Sequence, residues 1–266
     1  MRGSAATAGS HIARYGGNTT CIEVEVADDL RVIIDCGTGL RRLQHHLGGP
    51  RPGGRTFEVF LTHYHWDHVQ GLPFFRPVYD PANRFTFHAV QWEGRSVAEL
   101  LEGSFHPPYF PVALSETESE KRFAVMRSDR PVDIGDLRVK ALPLEHPQGV
   151  LAYRLEHGGR SVVVATDYEA GAMADHTPFF RFAARCDVLI HDAQYLTDEY
   201  QTRHIGWGHS TWEDATAAAL EVGAGRLVLV SHDPDRSDPE IDTIRRNARS
   251  RFPRTDAAYE GMTITF

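Results

Sequence analysis

Seven consecutive residues place three imidazoles and one carboxylate directly after the short apolar run Val59-Phe60-Leu61. The seven residues are Thr62-His63-Tyr64-His65-Trp66-Asp67-His68. Side chains alternate along a strand, so we expect His63 and His65 to project to one side of it. Asp67 and His68 follow where the chain turns off the strand end, and we expect them to reach a second point nearby. Zn²⁺ accepts imidazole nitrogen and carboxylate oxygen, so the stretch predicts a metal site. A histidine-rich surface turn is the alternative, but H-x-H-x-D-H after a strand is far more specific than a lone histidine pair.

Four apolar strands in the second half of the chain each lead into a histidine or an aspartate. We predict these strands at residues 138–142, 161–165, 188–190 and 227–230, each followed by one candidate site residue. In layered α/β proteins functional groups gather where loops leave the strand ends. With the first cluster, the strand ends supply enough ligands for two metal ions, with Asp167 bridging them. The candidate ligands are His63, His65, Asp67, His68, His146, Asp167 and His232.

The length and composition are those of an ordinary globular protein. The chain has 266 residues, of which 41% are hydrophobic and 24% charged, and it shows no linker or short-period repeat, so we predict one domain over residues 1–266. The net charge of −8 does not favour nucleic acid as a partner, although it does not exclude one. No run approaches the roughly 18 apolar residues of a membrane helix, and the start lacks the apolar core of a signal peptide. We therefore predict a cytoplasmic protein with no membrane partner.

Residues 91–130 are the least regular part of the sequence. They include a short helix near residues 96–102 and an aromatic, proline-rich run at residues 105–111. Proline removes a backbone donor and fixes φ, so this run cannot form a continuous element. A lid over a site and a packed surface loop are both consistent with it, and its side chains His106, Tyr109 and Phe110 are candidates to stack on a nucleobase.

A helix is predicted over residues 211–222, beside another histidine. Ser210 is its predicted N-cap, Glu213 completes a capping box, and Gly223 ends the helix.

The order of residues 62–68, His146, Asp167 and His232 on their strands resembles the metallo-β-lactamase superfamily of metallohydrolases. The resemblance covers nearly the whole chain. It implies an α/β (α+β) fold, a four-layer αββα sandwich of two facing mixed sheets with helices outside. It also implies a division of the ligands between two metal ions. One ion would be held by His63, His65 and His146, the other by Asp67, His68 and His232, with Asp167 shared.

Three motifs are similar to particular branches of that superfamily. His209-Ser210-Thr211 resembles the H-S-T motif of ribonuclease Z and related phosphodiesterases, in which Asp192 matches the acid that pairs with the histidine. Asn18-Thr19-Thr20 and Asp35-Cys36-Gly37-Thr38-Gly39 resemble the phosphoribosyl cyclic phosphodiesterase-like group. One departure is that the family's first strand is shortened or missing before this opening.

The predicted catalytic residues are Asp67, His209 and Asp192. Two divalent cations about 3.5–4 Å apart lower the pKa of a bridging water, which then attacks as hydroxide. We expect His209, oriented by Asp192, to supply a proton to the leaving oxygen. Asp35 either orients a ligating imidazole or is a plain turn residue, and we interpret His191 as structural. Zinc is the expected metal, and the same ligands accept manganese or iron.

The sequence therefore predicts a phosphodiesterase acting on a small cyclic nucleotide or cyclic phosphate ester. A tRNA 3′-processing endonuclease is the alternative within the class, although residues 91–130 lack a Gly/Lys-rich arm for RNA. A lactone or thioester hydrolase would use similar metal ligands but would not need the His209 and Asp192 pair. An iron-dependent oxidoreductase and a metal-stabilised binding module are further alternatives of other classes. The resemblance is also consistent with a homodimer.

Overall fold

Each of the two β-sheets lies in its own unit of the chain. The computed structural model describes residues 1–27 and 29–265. The first unit, here called the five-stranded unit, is Asn18–Arg127, and the second, the seven-stranded unit, combines Met1–Gly17 with Ser128–Phe266. Among the residues so described, no helix has both the length and the apolar character needed to cross a membrane.

The sheet of the five-stranded unit has its strands in sequence order. The strands are β1 (Ile22–Ala27), β2 (Leu30–Ile34), β3 (Thr56–Phe60), β4 (Arg84–Ala89) and β5 (Glu120–Val125). The helices are α1 (Gly39–His46), α2 (Trp66–Val69) and α3 (Val97–Ser104). β1 and β2 form an antiparallel hairpin, and β2 to β5 are parallel neighbours. The lid prediction for residues 91–130 stays a prediction; within that range the structure has α3 and β5.

The register of β2 and β3 determines where the metal-type residues come together in this unit. Ile34 pairs with Phe60, so the residues that follow both strands leave the same edge of the sheet. The strands are held by aromatic packing, in which Phe57 stacks on Phe85 with ring centroids 4.6 Å apart. Such fully buried aromatic pairs supply much of the stability of a small core.

The sheet of the seven-stranded unit has the order β12-β11-β10-β9-β8-β7-β6. Its strands are β6 (Val132–Ile134), β7 (Leu137–Leu144), β8 (Val150–His157), β9 (Arg160–Ala165), β10 (Val188–Asp192), β11 (Leu227–Val230) and β12 (Thr255–Ala257). The helices are α4 (Thr177–Ala183), α5 (Thr197–Glu199), α6 (Trp212–Glu221) and α7 (Asp238–Arg251). β6 to β9 pair antiparallel, and β9 to β12 pair parallel.

The parallel pairing of β9, β10 and β11 brings three strand ends to one edge. His191 pairs with Ala165, and Asp192 pairs with Val230. The middle of each strand is a run of buried apolar residues, as is usual for parallel strands covered on both faces. Side chains that follow the strands therefore share the edge, as the sequence predicted for Asp167, Asp192 and His232.

The predicted cap of α6 was wrong by one residue. Thr211 is the N-cap, its hydroxyl accepts a hydrogen bond from the backbone N–H of Asp214, and Asp214 completes the capping box. Ser210 is engaged elsewhere, because its hydroxyl donates to the carbonyl of Tyr168 and accepts from the N–H of Ala170. Because these tertiary contacts use the Ser210 hydroxyl, the neighbouring Thr211 caps the helix.

Candidate metal centre

The cluster of the five-stranded unit lies in the turn between β3 and α2. His65 is the N-cap residue of α2, which carries Asp67 and His68 in its only turn. The ring centroid of His63 lies 4.4 Å from that of His65 and 4.3 Å from that of His68. The Oδ2 atom of Asp67 lies 3.1 Å from Nε2 of His68. The structure thus brings together the four candidate ligands that the sequence places in this stretch.

Asp35 orients the imidazole of His68. Its carboxylate accepts hydrogen bonds from the N–H of Thr62 at 2.8 Å, from the hydroxyl of Thr62 at 2.9 Å and from Nδ1 of His68 at 2.7 Å. Burial raises the pKa of Asp35, and the neighbouring His68 imidazole opposes that effect. Because Nδ1 donates to the carboxylate, Nε2 is the ring nitrogen of His68 that would bind a metal. Of the two roles considered for Asp35, the structure therefore has the orienting one.

Two turns that the sequence singled out hold the backbone of α2. The hydroxyl of Thr19 donates to the carbonyl of Asp67 at 2.7 Å, and the N–H of Cys36 donates to the carbonyl of His68, also at 2.7 Å. At Gly37 the chain approaches α2 so closely that a Cβ atom would overlap the carbonyl oxygen of Asp67. A side chain at this position would displace the metal-type residues, which explains the glycine.

The seven-stranded unit contains a second cluster, built on Asp167, Asp192 and His209. All three side chains are buried, and their potential ligand atoms lie within 4.8 Å of one another. Nδ1 of His209 donates to Oδ2 of Asp192 at 2.7 Å, while Oδ1 of Asp192 accepts from the N–H of Ser210 at 2.9 Å. Burial raises the pKa of Asp192 to about 6, against the opposing effect of His209. The pair predicted from the sequence is therefore formed, and it fixes the orientation of the imidazole.

His146 is oriented by a backbone carbonyl. Its Nδ1 donates to the carbonyl oxygen of Gly208 at 2.7 Å, so Nε2 is the ring nitrogen that would bind a metal. The ring of His146 lies edge-on to that of His209, with centroids 5.5 Å apart. Gly208 has φ +87°, and a Cβ atom there would overlap the His146 ring. The glycine is required both by its backbone conformation and by the imidazole beside it.

Strained backbone marks two of the strand ends in the seven-stranded unit. Asp167, after β9, has φ +52°, and Ser231, after β11, has φ +56°. The hydroxyl of Ser231 donates to Oδ1 of Asp167 at 3.1 Å. Left-handed backbone at residues other than glycine costs about 1–3 kcal/mol and clusters at functional sites. The hydrogen bond from Ser231 holds the Asp167 carboxylate at this strand end.

His232 is a buried imidazole suited to a metal ion. In the part of the chain that the structure describes, neither Nδ1 nor Nε2 has a hydrogen-bond partner. The backbone of Arg2 pairs with that of His232, and the ring of Tyr15 lies edge-on to its imidazole. Burial lowers the pKa of His232 well below its usual value, so the ring is neutral, which is the form that binds metals. A donor set of neutral imidazoles and carboxylates of this kind fits a divalent cation.

The other histidines and aromatic side chains singled out by the sequence lie outside these clusters. His191 is buried with its ring edge-on to Tyr168, and burial lowers its pKa, in agreement with the structural role predicted for it. The Phe110 ring packs edge-on against Phe105, whereas Tyr109 is 72% exposed. Sequence reasoning missed the supporting contacts of Thr62, Ser231 and Gly208, because no motif marks a residue that acts through its backbone or hydroxyl.

A family model described as "Beta-lactamase superfamily domain" matches residues 30–232, so the chain belongs to this superfamily. A ribonuclease Z of Halorubrum lacusprofundi is 29% identical over 265 residues, covering 84% of this chain and 83% of that protein. The metallo-β-lactamase fold protein YhfI from Bacillus subtilis superposes with a TM-score of 0.70 at 20% identity, covering 98% of this chain and 94% of that one. Zn²⁺-bound PqqB from Methylobacterium extorquens gives a TM-score of 0.70 at 18% identity, covering 97% and 89%.

These likenesses confirm the fold class and the family predicted from the sequence. The chain has the metallo-β-lactamase fold, with helices and two sheets. It is a metal-dependent hydrolase of the β-lactamase superfamily, and its His and Asp clusters are of the kind that hold divalent metal ions.

Proposed function

We propose that this hydrolase cleaves small phosphodiesters, with a cyclic nucleotide or a cyclic phosphate ester as substrate. The observation that carries the proposal is the buried contact between Nδ1 of His209 and Oδ2 of Asp192 at 2.7 Å. An imidazole held in this way can give a proton to a poor leaving group, which an alkoxide leaving from phosphorus requires. The relative named ribonuclease Z supports a phosphodiester as the bond that is cleaved.

We assign the metal ligands as the family resemblance divides them. His63, His65 and His146 would hold one ion, Asp67, His68 and His232 the other, and Asp167 would be shared. When bound, two divalent ions lower the pKa of a coordinated water and neutralise charge that develops on the phosphate. Zinc is the metal that we expect, and manganese and iron suit the same ligand types.

The side chains of the protein have separate tasks in this scheme. His209 protonates the leaving oxygen through Nε2, because its Nδ1 is held by Asp192. Asp192 holds the imidazole in one orientation and stabilises its doubly protonated form, from which Nε2 gives up the proton. Asp67 presents a carboxylate beside His68, where it can bind metal and accept the proton of the attacking water.

A tRNA 3′-processing endonuclease is the second candidate, favoured by the 29% identity to a ribonuclease Z. It would use the same ligands and the same acid, so it differs only in the substrate. The net charge of −8 gives no general attraction for a polyanion, which is why we place the small diester first. A lactone or thioester hydrolase is the third candidate, but its leaving group would have less need of the His209 and Asp192 pair.

A hydrolysis screen tests these proposals. The purified protein is loaded with Zn²⁺ or Mn²⁺ and offered bis(p-nitrophenyl) phosphate, 2′,3′- and 3′,5′-cyclic nucleotides, a lactone, a thioester and a pre-tRNA. We expect turnover of the small diesters, its loss in Asp67→Ala, and a strong reduction of cyclic-nucleotide turnover in His209→Ala. His157→Ala is the control, because His157 is exposed and lies at the end of β8. Cleavage of pre-tRNA without turnover of small diesters would overturn the choice of substrate.

A further inference from the structure

The carboxylate of Glu169 lies two residues after Asp167 and is not explained by the proposed metal ligands or by the acid. Glu169 is 2% exposed. Its Oε1 atom accepts hydrogen bonds from the hydroxyl of Tyr200 at 2.8 Å and from the N–H of Gly206 at 2.7 Å. Its Oε2 atom accepts from the N–H of Gly208, also at 2.7 Å. One buried side chain therefore binds three donors of a single surface segment.

That segment, residues 200–208, leads directly into the acid and supports a metal ligand. The carbonyl of Gly208 accepts the Nδ1–H of His146, and the next residue is His209. The segment begins with the π-helical turn Tyr200–His204, and residues 205–210 between that turn and the cap of α6 form no helix or strand. Gly206 and Gly208 both have positive φ, so their N–H groups can point to the same carboxylate. Three short hydrogen bonds to one buried carboxylate restrict the movement of this segment.

The backbone of Glu169 is itself tied to the residue that precedes His146. Its N–H donates to the carbonyl of Glu145 at 2.9 Å. The side chain of Glu169 thus holds Gly208, whose carbonyl accepts from His146. The main-chain N–H of Glu169 holds Glu145, the residue before His146. A displacement of Glu169 would move the His146 imidazole and the His209 imidazole together.

We propose that Glu169 is a positioning residue, which through residues 200–208 fixes both the metal ligand His146 and the leaving-group acid His209. The inference rests on the proposed function, because it takes those two roles from it. In this proposal Glu169 takes no part in proton transfer. Its carboxylate accepts hydrogen bonds from the backbone N–H groups of Gly206 and Gly208. Without these bonds the segment could move away from His146.

The test uses Glu169→Gln, which keeps the shape of the side chain but turns one acceptor oxygen into an NH₂ group that faces an N–H donor. Glu199→Gln is the control, because Glu199 is a partly buried carboxylate whose partners are Arg236 and the N–H of Leu196. Affinity for Zn²⁺ is measured by competition with a chromophoric chelator. Turnover is measured with bis(p-nitrophenyl) phosphate, whose leaving group needs no proton, and with a 2′,3′-cyclic nucleotide, whose leaving alkoxide does. Folding is checked by circular dichroism.

We expect Glu169→Gln to weaken Zn²⁺ affinity by about 10- to 100-fold, as loss of support around a ligating histidine does. We also expect kcat for the cyclic nucleotide to fall at least about tenfold more than kcat for the p-nitrophenyl diester, since misplacement of the acid matters only when the leaving group needs it. Glu199→Gln should change neither the Zn²⁺ affinity nor the ratio of the two kcat values. If Glu169→Gln does not fold, Glu169→Asp, whose shorter side chain still offers two acceptors, should show the same pattern to a smaller degree.

The inference would be overturned if Glu169→Gln had the same Zn²⁺ affinity and the same ratio of kcat values as Glu199→Gln. An unmodified protein that turns over no diester would instead overturn the proposed function. The Zn²⁺ measurement would then still decide whether Glu169 supports His146.

Discussion

Oδ2 of Asp35 lies 2.7 Å from Nδ1 of His68, and both side chains are fully buried. The two residues are far apart in sequence and meet because β2 and β3 run parallel and end at the same edge. The contact selects the tautomer of His68 in which Nε2 is the nitrogen that would bind a metal.

We expect Asp35→Asn to lower metal affinity by about 10- to 100-fold, because the amide cannot hold Nδ1–H as firmly as the carboxylate does. Affinity is measured by chelator competition on protein whose folding is verified by circular dichroism. Asp136→Asn, at an exposed position, serves as the control. Unchanged affinity in Asp35→Asn would show that the contact does not support a ligand.

The acid proposed in the seven-stranded unit predicts an effect that depends on the leaving group. His209→Ala should reduce kcat for a cyclic nucleotide by about 10²- to 10⁴-fold, the usual contribution of a positioned acid. Asp192→Asn should reduce it less, because the imidazole remains but loses its orientation. Both variants should affect bis(p-nitrophenyl) phosphate far less, and steady-state kinetics on the two substrates measures the difference. Equal losses on both substrates would argue against proton donation by His209.

Gly206 and Gly208 form a natural pair of test positions. Both have positive φ, +84° and +87°, so alanine at either costs about 1–2 kcal/mol of backbone strain. A Cβ atom at Gly206 meets nothing within 4 Å, whereas one at Gly208 would overlap the His146 ring. We therefore expect Gly208→Ala to lose much more metal affinity and kcat than Gly206→Ala at a similar melting temperature. Similar losses in the two variants would mean that strain, and not His146, accounts for them.

Metal removal should destabilise the fold, because buried imidazoles such as His232 lose the ion that satisfies them. Chelation should abolish turnover and lower the melting temperature, and Zn²⁺ or Mn²⁺ should restore both. Free metal at 100 times its Kd stabilises the binding form by about 2.7 kcal/mol. His232→Ala should show a much smaller rise in melting temperature on adding metal than the unmodified protein or His157→Ala. A melting temperature that does not respond to metal in any of the three proteins would exclude a bound ion as a folding partner.

The aromatic core of the five-stranded unit should affect stability without affecting the chemistry directly. Phe57 is fully buried and stacks on Phe85, so Phe57→Ala should cost about 3–5 kcal/mol in the free energy of unfolding. Phe123→Ala, at a position 39% exposed, should cost far less. Urea denaturation measures both, and equal costs would mean that the two rings contribute equally to the core.

The sequence by itself determined the family, the fold class and the candidate ligands. The spacing of the histidines and the aspartate in residues 62–68 predicts a metal site, because all of these residues lie close together in the sequence. The strands that lead into Asp167, Asp192 and His232 are readable for a similar reason, since a buried parallel strand is an uninterrupted apolar run. Strands with exposed or mixed side chains, such as β5 and β6, lack that signal and were not predicted.

Only the tertiary structure decided which residues support the ligands. The register of β2 and β3 places Asp35 where it orients His68. Ser210 contacts Tyr168 and Ala170 and does not cap α6. Glu169 accepts three hydrogen bonds from a segment distant in the sequence. In each case the partner is a backbone group or a side chain far away in the sequence. Such contacts follow from where the folded chain brings its polar groups, and buried polar groups must be paired wherever they come to lie. A local pattern of residues cannot specify that pairing.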